Sequence, residues 1–394
     1  MTMDIQQIRQ DTPVTKEYAY FDTGAAAPPP LPVLNRVKDY LDATAYQGPY
    51  LPSLRKKIYA QLETIRQQTA AFLNADVGEI AFTRNGSEGI SLVAQGIDWQ
   101  EGDEVIVPNT EILSNISPWL RLQHRRGIKV VAAKANDQGV LEPAHIASLM
   151  TDKTRLLTFG ALSNATGAIQ PVQALCALAR QRGVLSLVNA SQSLGMLATD
   201  VSALGCDFLA ACGRKGLRAI EGSGVLYVRA GLVNQLEPSL VGWWNSSFDD
   251  AGQLVLPDTA RRFEAGCPNV PAILSLGAAI EYAQSLGMAA IEQRVRELTC
   301  YAVSRLNTLP GIQIYGPQIA SERIGLLPFN IAGRDPSQLV TLLERQGVII
   351  EAGHFMAHAI MQLYGIERMA RLSLHYFNTE QEIDRAVELI RSVN

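Results

Sequence analysis

Three short stretches place polar side chains directly after apolar runs, where a residue serves a ligand better than a core. ACGRK sets Lys215 beside Arg214, LVNASQ offers Asn189, Ser191 and Gln192, and LSNATG offers Asn164. A lysine so placed can act as a counter-charge for phosphate, as a proton carrier, or as an amine that condenses with a carbonyl. The last role gains most from partial desolvation, which lowers the amine pKa. A fourth stretch, FTRNGSEGI, reads as strand, turn and helix start. Gly86, Ser87 and Gly89 would there present backbone N–H groups and a hydroxyl suited to a phosphate, with Ser87 as a simple helix cap the plainer alternative. GxGxxG and GxxxxGK[ST] are both missing from it, which excludes a dinucleotide fingerprint and a Walker loop.

Polar residues after several strands imply one cleft that those strands share. EIAFTR, DEVIVPN, KVVAAKA, TRLLTFGAL, VLSLVNA, DFLAACG and GVLYV are short and β-branched or continuously apolar, as strands covered on both faces are. Helical segments such as GSEGISLVAQGI, SPWLRLQHRRG and PVQALCALARQRG alternate with them, which predicts an α/β fold with a large, mainly parallel seven-stranded sheet. Ahead lies an extended proline-rich stretch, YFDTGAAAPPPLPVL, and then a helix through LPSLRKKIYAQLETIRQQTAAFL. Past GVLYV, two long helices (NVPAILSLGAAIEYAQSLG and MAAIEQRVRELTCYAVSRLNTL) lead into IQIYG, IGLLPFNI, PSQLVTLLERQG, VIIEAG, RLSLHYF and TEQEIDRAVELIRS. These read as a small C-terminal α/β domain carrying an antiparallel sheet. The expected division is an N-terminal segment 1–20, a large domain 21–265, and interdomain helices with the small domain over 266–394.

The 394 residues, 47% hydrophobic and 18% charged, suffice for a large core and a second domain. A net charge of -4 with both signs scattered leaves no basic stripe for nucleic acid and no polybasic segment for a membrane surface. MTMDIQQIRQDT lacks the pattern of a leader, and no run approaches the ~20 apolar residues of a membrane span. A cytoplasmic protein with a small-molecule substrate is expected. The five cysteines (Cys176, Cys206, Cys212, Cys267, Cys300) are odd in number and form no CxxC pair, against a disulfide framework or zinc site. His354 and His358 are four apart without the glutamate of HExxH, so the pair reads as structural and no metal is expected. Trp243 and Trp244 read as a buried aromatic pair under a loop, with a place in the substrate pocket as the alternative.

Eight segments in order, YFDTGAAAP, TRNGSEGI, LSNATGAIQPV, LVNASQS, DFLAACGRK, GSGVLYVR, RFEAGCPN and ARLSLHYFNTEQEID, span nearly the whole chain. In them the chain resembles the class V aminotransferase family of fold type I pyridoxal-phosphate enzymes, whose branches include cysteine desulfurases, selenocysteine lyases and isopenicillin epimerase-like enzymes. The resemblance implies pyridoxal 5'-phosphate as cofactor and Lys215 as the catalytic amine that binds it and moves protons. It implies that Gly86 and Ser87 hold the phosphate with help from Cys212 and Arg214, and that Asn164 and Gln192 bond the phenolic oxygen. Arg371 is implied as a two-point clamp for the substrate's carboxylate, with Asn164 and His354 also on the substrate side. RFEAGCPN, with Cys267, would reach into a partner subunit's site, which implies a homodimer.

Departures from the family pattern direct the functional expectation. The family's GHHCA, whose cysteine takes sulfur as a persulfide, is GHFMA here, and the thioether of Met356 cannot be that nucleophile. Ile112 stands where a histidine normally stacks on the ring, and Cys267 where a threonine meets the phosphate. Asn189 replaces the aspartate whose charge keeps the ring nitrogen protonated, so the ring is expected to be a weaker electron sink. The expected reaction is C–S lyase chemistry by β-elimination without a persulfide cysteine. Epimerisation is the runner-up, transamination is disfavoured by Asn189, and a non-catalytic dimeric binding protein is the rival of another class.

Overall fold

The computed structural model describes residues 3–392; the first two residues of the expected N-terminal segment and the last two of the C-terminal domain lie outside it. The seven apolar runs form one sheet: β1 (Ile80–Thr83), β2 (Glu104–Pro108), β3 (Lys129–Ala133), β4 (Thr154–Gly160), β5 (Leu185–Asn189), β6 (Phe208–Cys212) and β7 (Gly224–Val228), in the order β1-β7-β6-β5-β4-β2-β3. Strands β3, β2, β4, β5 and β6 are joined by parallel ladders, and β7 alone runs against its neighbours β6 and β1. Successive side chains of a strand point to opposite faces. Leu157, Val188 and Leu209 accordingly enter one apolar cluster and Leu156, Leu187 and Phe208 the other, which is why the strands read as continuously apolar. The Gly86–Gly96 and Ser117–Arg126 helices cover the second face, and the Val172–Gln181, Pro52–Leu73 and Val270–Leu286 helices the first.

A second sheet comprises β8 (Ile312–Ile314), β9 (Leu326–Ile331), β10 (Glu351–Gly353) and β11 (Met369–Ser373), ordered β8-β9-β11-β10 and antiparallel throughout. The Met288–Leu306, Pro336–Arg345 and Glu380–Ser392 helices pack on it around Leu327, Phe329 and Leu372. VIIEAG, expected as one strand, divides: Val348–Ile349 pairs in parallel with Ala19–Tyr20, while β10 pairs with β11. LPVL, expected as extended, instead opens a helix, Leu31–Gln47. Its Pro32 sits in the first turn, where a missing N–H costs nothing. No helix among the described residues is long and apolar enough to cross a membrane.

One buried ion pair ties the Pro52–Leu73 helix to the sheet. Arg66 donates to Glu264 through Nη1 at 2.5 Å and Nη2 at 3.1 Å, and Glu264 also accepts the Phe82 N–H at 2.7 Å. Both side chains are buried. Replacing Glu264 by Ala leaves a buried guanidinium without its main counter-charge, and a loss of about 3 kcal/mol is expected in urea unfolding, with Glu264→Gln losing less.

Candidate active site

The carboxyl ends of β2, β4, β5 and β6 open onto one cleft with about 640 Å³ of empty space. Its wall brings together Gly86, Ser87, Ile112, Asn164, Asn189, Gln192, Cys212, Arg214 and Lys215, residues the sequence scatters over about 130 positions. Lys215 is buried, and its pKa falls from 10.5 to about 8. Desolvation is the largest cause; Cys212 opposes it, and the positive fields of Arg371 and Arg214 add to it. An amine so tuned is a far better nucleophile and base near neutral pH than a surface lysine.

At one end of the cleft, Asn85 caps the Gly86–Gly96 helix, its Oδ1 accepting the Glu88 N–H at 2.9 Å. The N–H groups of Gly86 and Ser87 then have no carbonyl in the helix to bond. A Cβ at Gly86 would collide with the Ser191 hydroxyl, so glycine keeps the space between the helix start and β5 open. Cys212 points its Sγ at the Ser191 carbonyl, 3.7 Å away, and Arg214 donates to the Ala25 carbonyl.

The amides are held by the backbone. Asn164 Nδ2 donates to Phe355 O at 2.8 Å, and Gln192 Nε2 to Gly24 O at 3.0 Å; each NH2 keeps a second hydrogen. Asn189 Oδ1 accepts the Ser191 N–H at 3.2 Å. Its side chain also lies beside the Glu111 carboxylate, which accepts the Gly160 N–H at 2.5 Å and Asn115 Nδ2 at 3.0 Å. Glu111 is buried, and burial pushes its pKa up against these polar neighbours.

Arg371 lies just behind this wall rather than in it. Nη1 donates to the Asn164 carbonyl at 2.8 Å, and Nη2 reaches Glu351 Oε2 at 2.6 Å and Asp22 Oδ1 at 3.5 Å. The guanidinium carbon stands 4.1 Å from the centre of the Phe355 ring. A Cβ at Gly24 would lie 2.8 Å from the guanidinium carbon, so only glycine lets the YFDTGAAAP turn pass this close. Asp22 is pushed up to about 7, by burial first, with Arg371 pulling the other way. Glu111, Asp22 and Glu351 had no functional signal in the sequence; the one available hint was an acid inside an otherwise apolar segment.

Three expected positions fall elsewhere. His354 is exposed and outside the cleft wall; its Nδ1 accepts the Met356 N–H at 3.0 Å, and its ring stacks on His358 at 4.2 Å. Cys267 is exposed and does not line the cleft of its own chain. Trp243 is 56% exposed, which corrects the expected buried pair, while Trp244 packs edge-on against Tyr59; neither lines the cleft.

The profile described as aminotransferase class-V matches residues 19–386. The chain belongs to the class V aminotransferase family. Within it, a probable cysteine desulfurase of Methanothermobacter thermautotrophicus is 35% identical over 399 residues, covering 99% of this chain and 98% of that protein. The apo cysteine desulfurase of Thermococcus onnurineus NA1 superposes with a TM-score of 0.93 at 30% identity, over 100% of this chain and 98% of the other. The fold is also that of a C-DES mutant with glycine covalently linked to its PLP cofactor (TM-score 0.89, 24% identity, 96% and 98% covered). Pyridoxal 5'-phosphate is the cofactor of this class V enzyme. The cleft fits it: a buried low-pKa amine, an open helix start beside two serine hydroxyls, and a gap that a Cβ at Gly86 would fill.

The lowered lysine pKa sets a pH dependence. Below about 8, the share of Lys215 in the reactive neutral form falls about tenfold per pH unit. The rate at which apoprotein gains visible absorbance on adding pyridoxal phosphate is expected to rise with that slope and level off above about pH 8, and Lys215→Ala should gain none. A profile still rising at pH 10 would mean an unperturbed lysine.

Proposed function

We propose that the chain is a homodimeric pyridoxal-phosphate lyase that cleaves the C–S bond of a cysteine-like amino acid by β-elimination, with Lys215 as the base and no persulfide-carrying cysteine. When bound, the cofactor supplies a carbonyl for the substrate amine and a ring that draws electrons from Cα. Lys215 takes the Cα proton, the Cβ–S bond breaks, and the sulfur leaves with a proton; water then releases the remnant as keto-acid and ammonia. Arg371 is the carboxylate clamp in this reading, and Gly86, Ser87, Cys212 and Arg214 hold the phosphate. Asn189 is oriented by the Ser191 N–H on its Oδ1, so its amide N–H suits an unprotonated ring nitrogen.

The observation that carries the absence of a persulfide step is the GHFMA loop. Phe355 and Met356 both have left-handed backbone, φ 49° and 56°, held by Asn164 Nδ2 on Phe355 O and by the Leu113 N–H on Met356 O at 3.0 Å. The loop thus folds over the site with a thioether where the relatives' desulfuration would need a thiol. Among the described residues the one thiol in the cleft wall is Cys212, turned towards the Ser191 carbonyl.

Product analysis separates the routes. Holoenzyme given cysteine, cystine or a cysteine conjugate is expected to release pyruvate and ammonia in equal amounts. Alanine as the product would replace this reading with desulfuration, and solvent deuterium at Cα without keto-acid would replace it with epimerisation. A protein that never gains cofactor absorbance would leave only the binding role. The homodimer is supported by a contiguous exposed apolar stretch, Leu240, Val241, Trp243 and the Ser247–Phe248/Leu254–Val255 hairpin. Light scattering is expected to give twice the chain mass of 42.9 kDa, and Trp243→Glu with Phe248→Glu to lower it towards the single-chain value.

A further inference from the structure

A guanidinium can grip a carboxylate at two points through either of two edges, Nε with Nη2 or Nη1 with Nη2, and both edges use Nη2. In Arg371 that nitrogen already serves two carboxylates, Glu351 at 2.6 Å and Asp22 at 3.5 Å, while the buried Nε has no partner among the described residues. Neither fork is open to a third carboxylate as the site stands. The two acids are not equivalent. Glu351 is the direct cross-strand partner of Arg371 in the β10/β11 ladder, and its side chain is 41% exposed where that of Arg371 is 2%. Asp22 is 18% exposed and belongs to the tight turn whose Gly24 touches the guanidinium. Glu351 therefore holds the solvent side of the fork and has room to swing away; Asp22 holds the inner side.

We infer that Glu351 is a specificity-determining residue, a tethered carboxylate that occupies the Arg371 fork until the α-carboxylate of a substrate displaces it. This rests on the proposed role of Arg371 as clamp. Two consequences follow from charge alone. Every amino acid binds against an internal competitor, so affinity for simple amino acids is held low. Once displaced, Glu351 stands at the rim with an unpaired negative charge, which favours substrates whose side chain ends in a cation and opposes those ending in a carboxylate.

S-(2-aminoethyl)-cysteine and S-carboxymethyl-cysteine test this, being similar in length and opposite in terminal charge. Wild-type holoenzyme is expected to prefer the cationic substrate in kcat/KM by about tenfold or more. Glu351→Gln is expected to lower KM for both, with a smaller change in kcat, and to reduce the preference at least about fivefold. Glu351→Asp, one methylene shorter, should keep the charge preference while losing part of the competition, and serves if the glutamine variant folds poorly. Binding followed by the absorbance change of the bound cofactor gives the same comparison without turnover. If that change occurs but wild type and Glu351→Gln share one KM and one charge ratio, the inference is overturned while the cofactor reading stands. If no amine alters the absorbance, it is the proposed function that fails.

Discussion

The structure depends on a single constraint: strands that run parallel carry all their carboxyl ends to the same edge. Each crossover must therefore start from that edge, and its first residues are exposed to one shared cleft whatever their distance in sequence. Asn189 ends β5, Cys212 ends β6, and Glu111 and Asn164 follow β2 and β4 by a few residues. The antiparallel β7 has a related effect. It turns the chain back after β6 through the connector 213–223, and Lys215 sits near the start of that connector, close to the strand end and out of water. Its pKa is low because it is buried.

Desolvation in and behind that cleft acts on two acids and a guanidinium as well as on the lysine. Asp22 and Glu111 are both pushed up by burial, and Arg371 is pushed down from its usual range. The acids and the guanidinium are tolerated because they have partners: Arg371 faces two acids, and Glu111 accepts from Asn115 and the Gly160 N–H. If Arg371 is the carboxylate clamp, the same pairing occupies the position that a substrate's carboxylate needs. In the proposed reading, ligand binding is an exchange of partners within this set, so the acids on Arg371 bear on specificity as directly as Arg371 itself.

What could be read from the sequence follows the same logic. Strand ends were legible because apolar runs mark the strands and polar residues mark their ends, so Lys215, Asn164, Asn189 and Gln192 were found without knowing which strands are neighbours. Glu351 was not. Its meaning lies in its register opposite Arg371, 20 residues on, and VIIEAG shows no sign that it splits between two pairings. Asp22 stood inside YFDTGAAAP, yet nothing local says that this turn passes over a guanidinium. The helix from Leu31 was missed because a triple proline suggests extended chain, whereas Pro30 and Pro32 suit a helix start. Trp243 reads as an inside residue because tryptophan usually is one; it lies instead in an exposed apolar stretch.

Asn189 joins these threads. An aspartate there would stand beside Glu111, placing two carboxylates together in a buried corner, with the Ser191 N–H to serve one and the Gly160 N–H the other. Like charges in such a corner raise each other's pKa, so that one of them takes up a proton. Asparagine removes the conflict: it accepts from Ser191, sets a neutral amide beside Glu111, and adds no second charge to that corner. The substitution that looks like the loss of a charge is thus part of a pair in which the carboxylate sits one residue further back. In the proposed reading, the ring nitrogen meets a neutral donor polarised by that carboxylate. This environment stabilises less negative charge on the ring than an ion pair would, and it matches a reaction in which the leaving sulfur, rather than the ring, ends up holding the electrons.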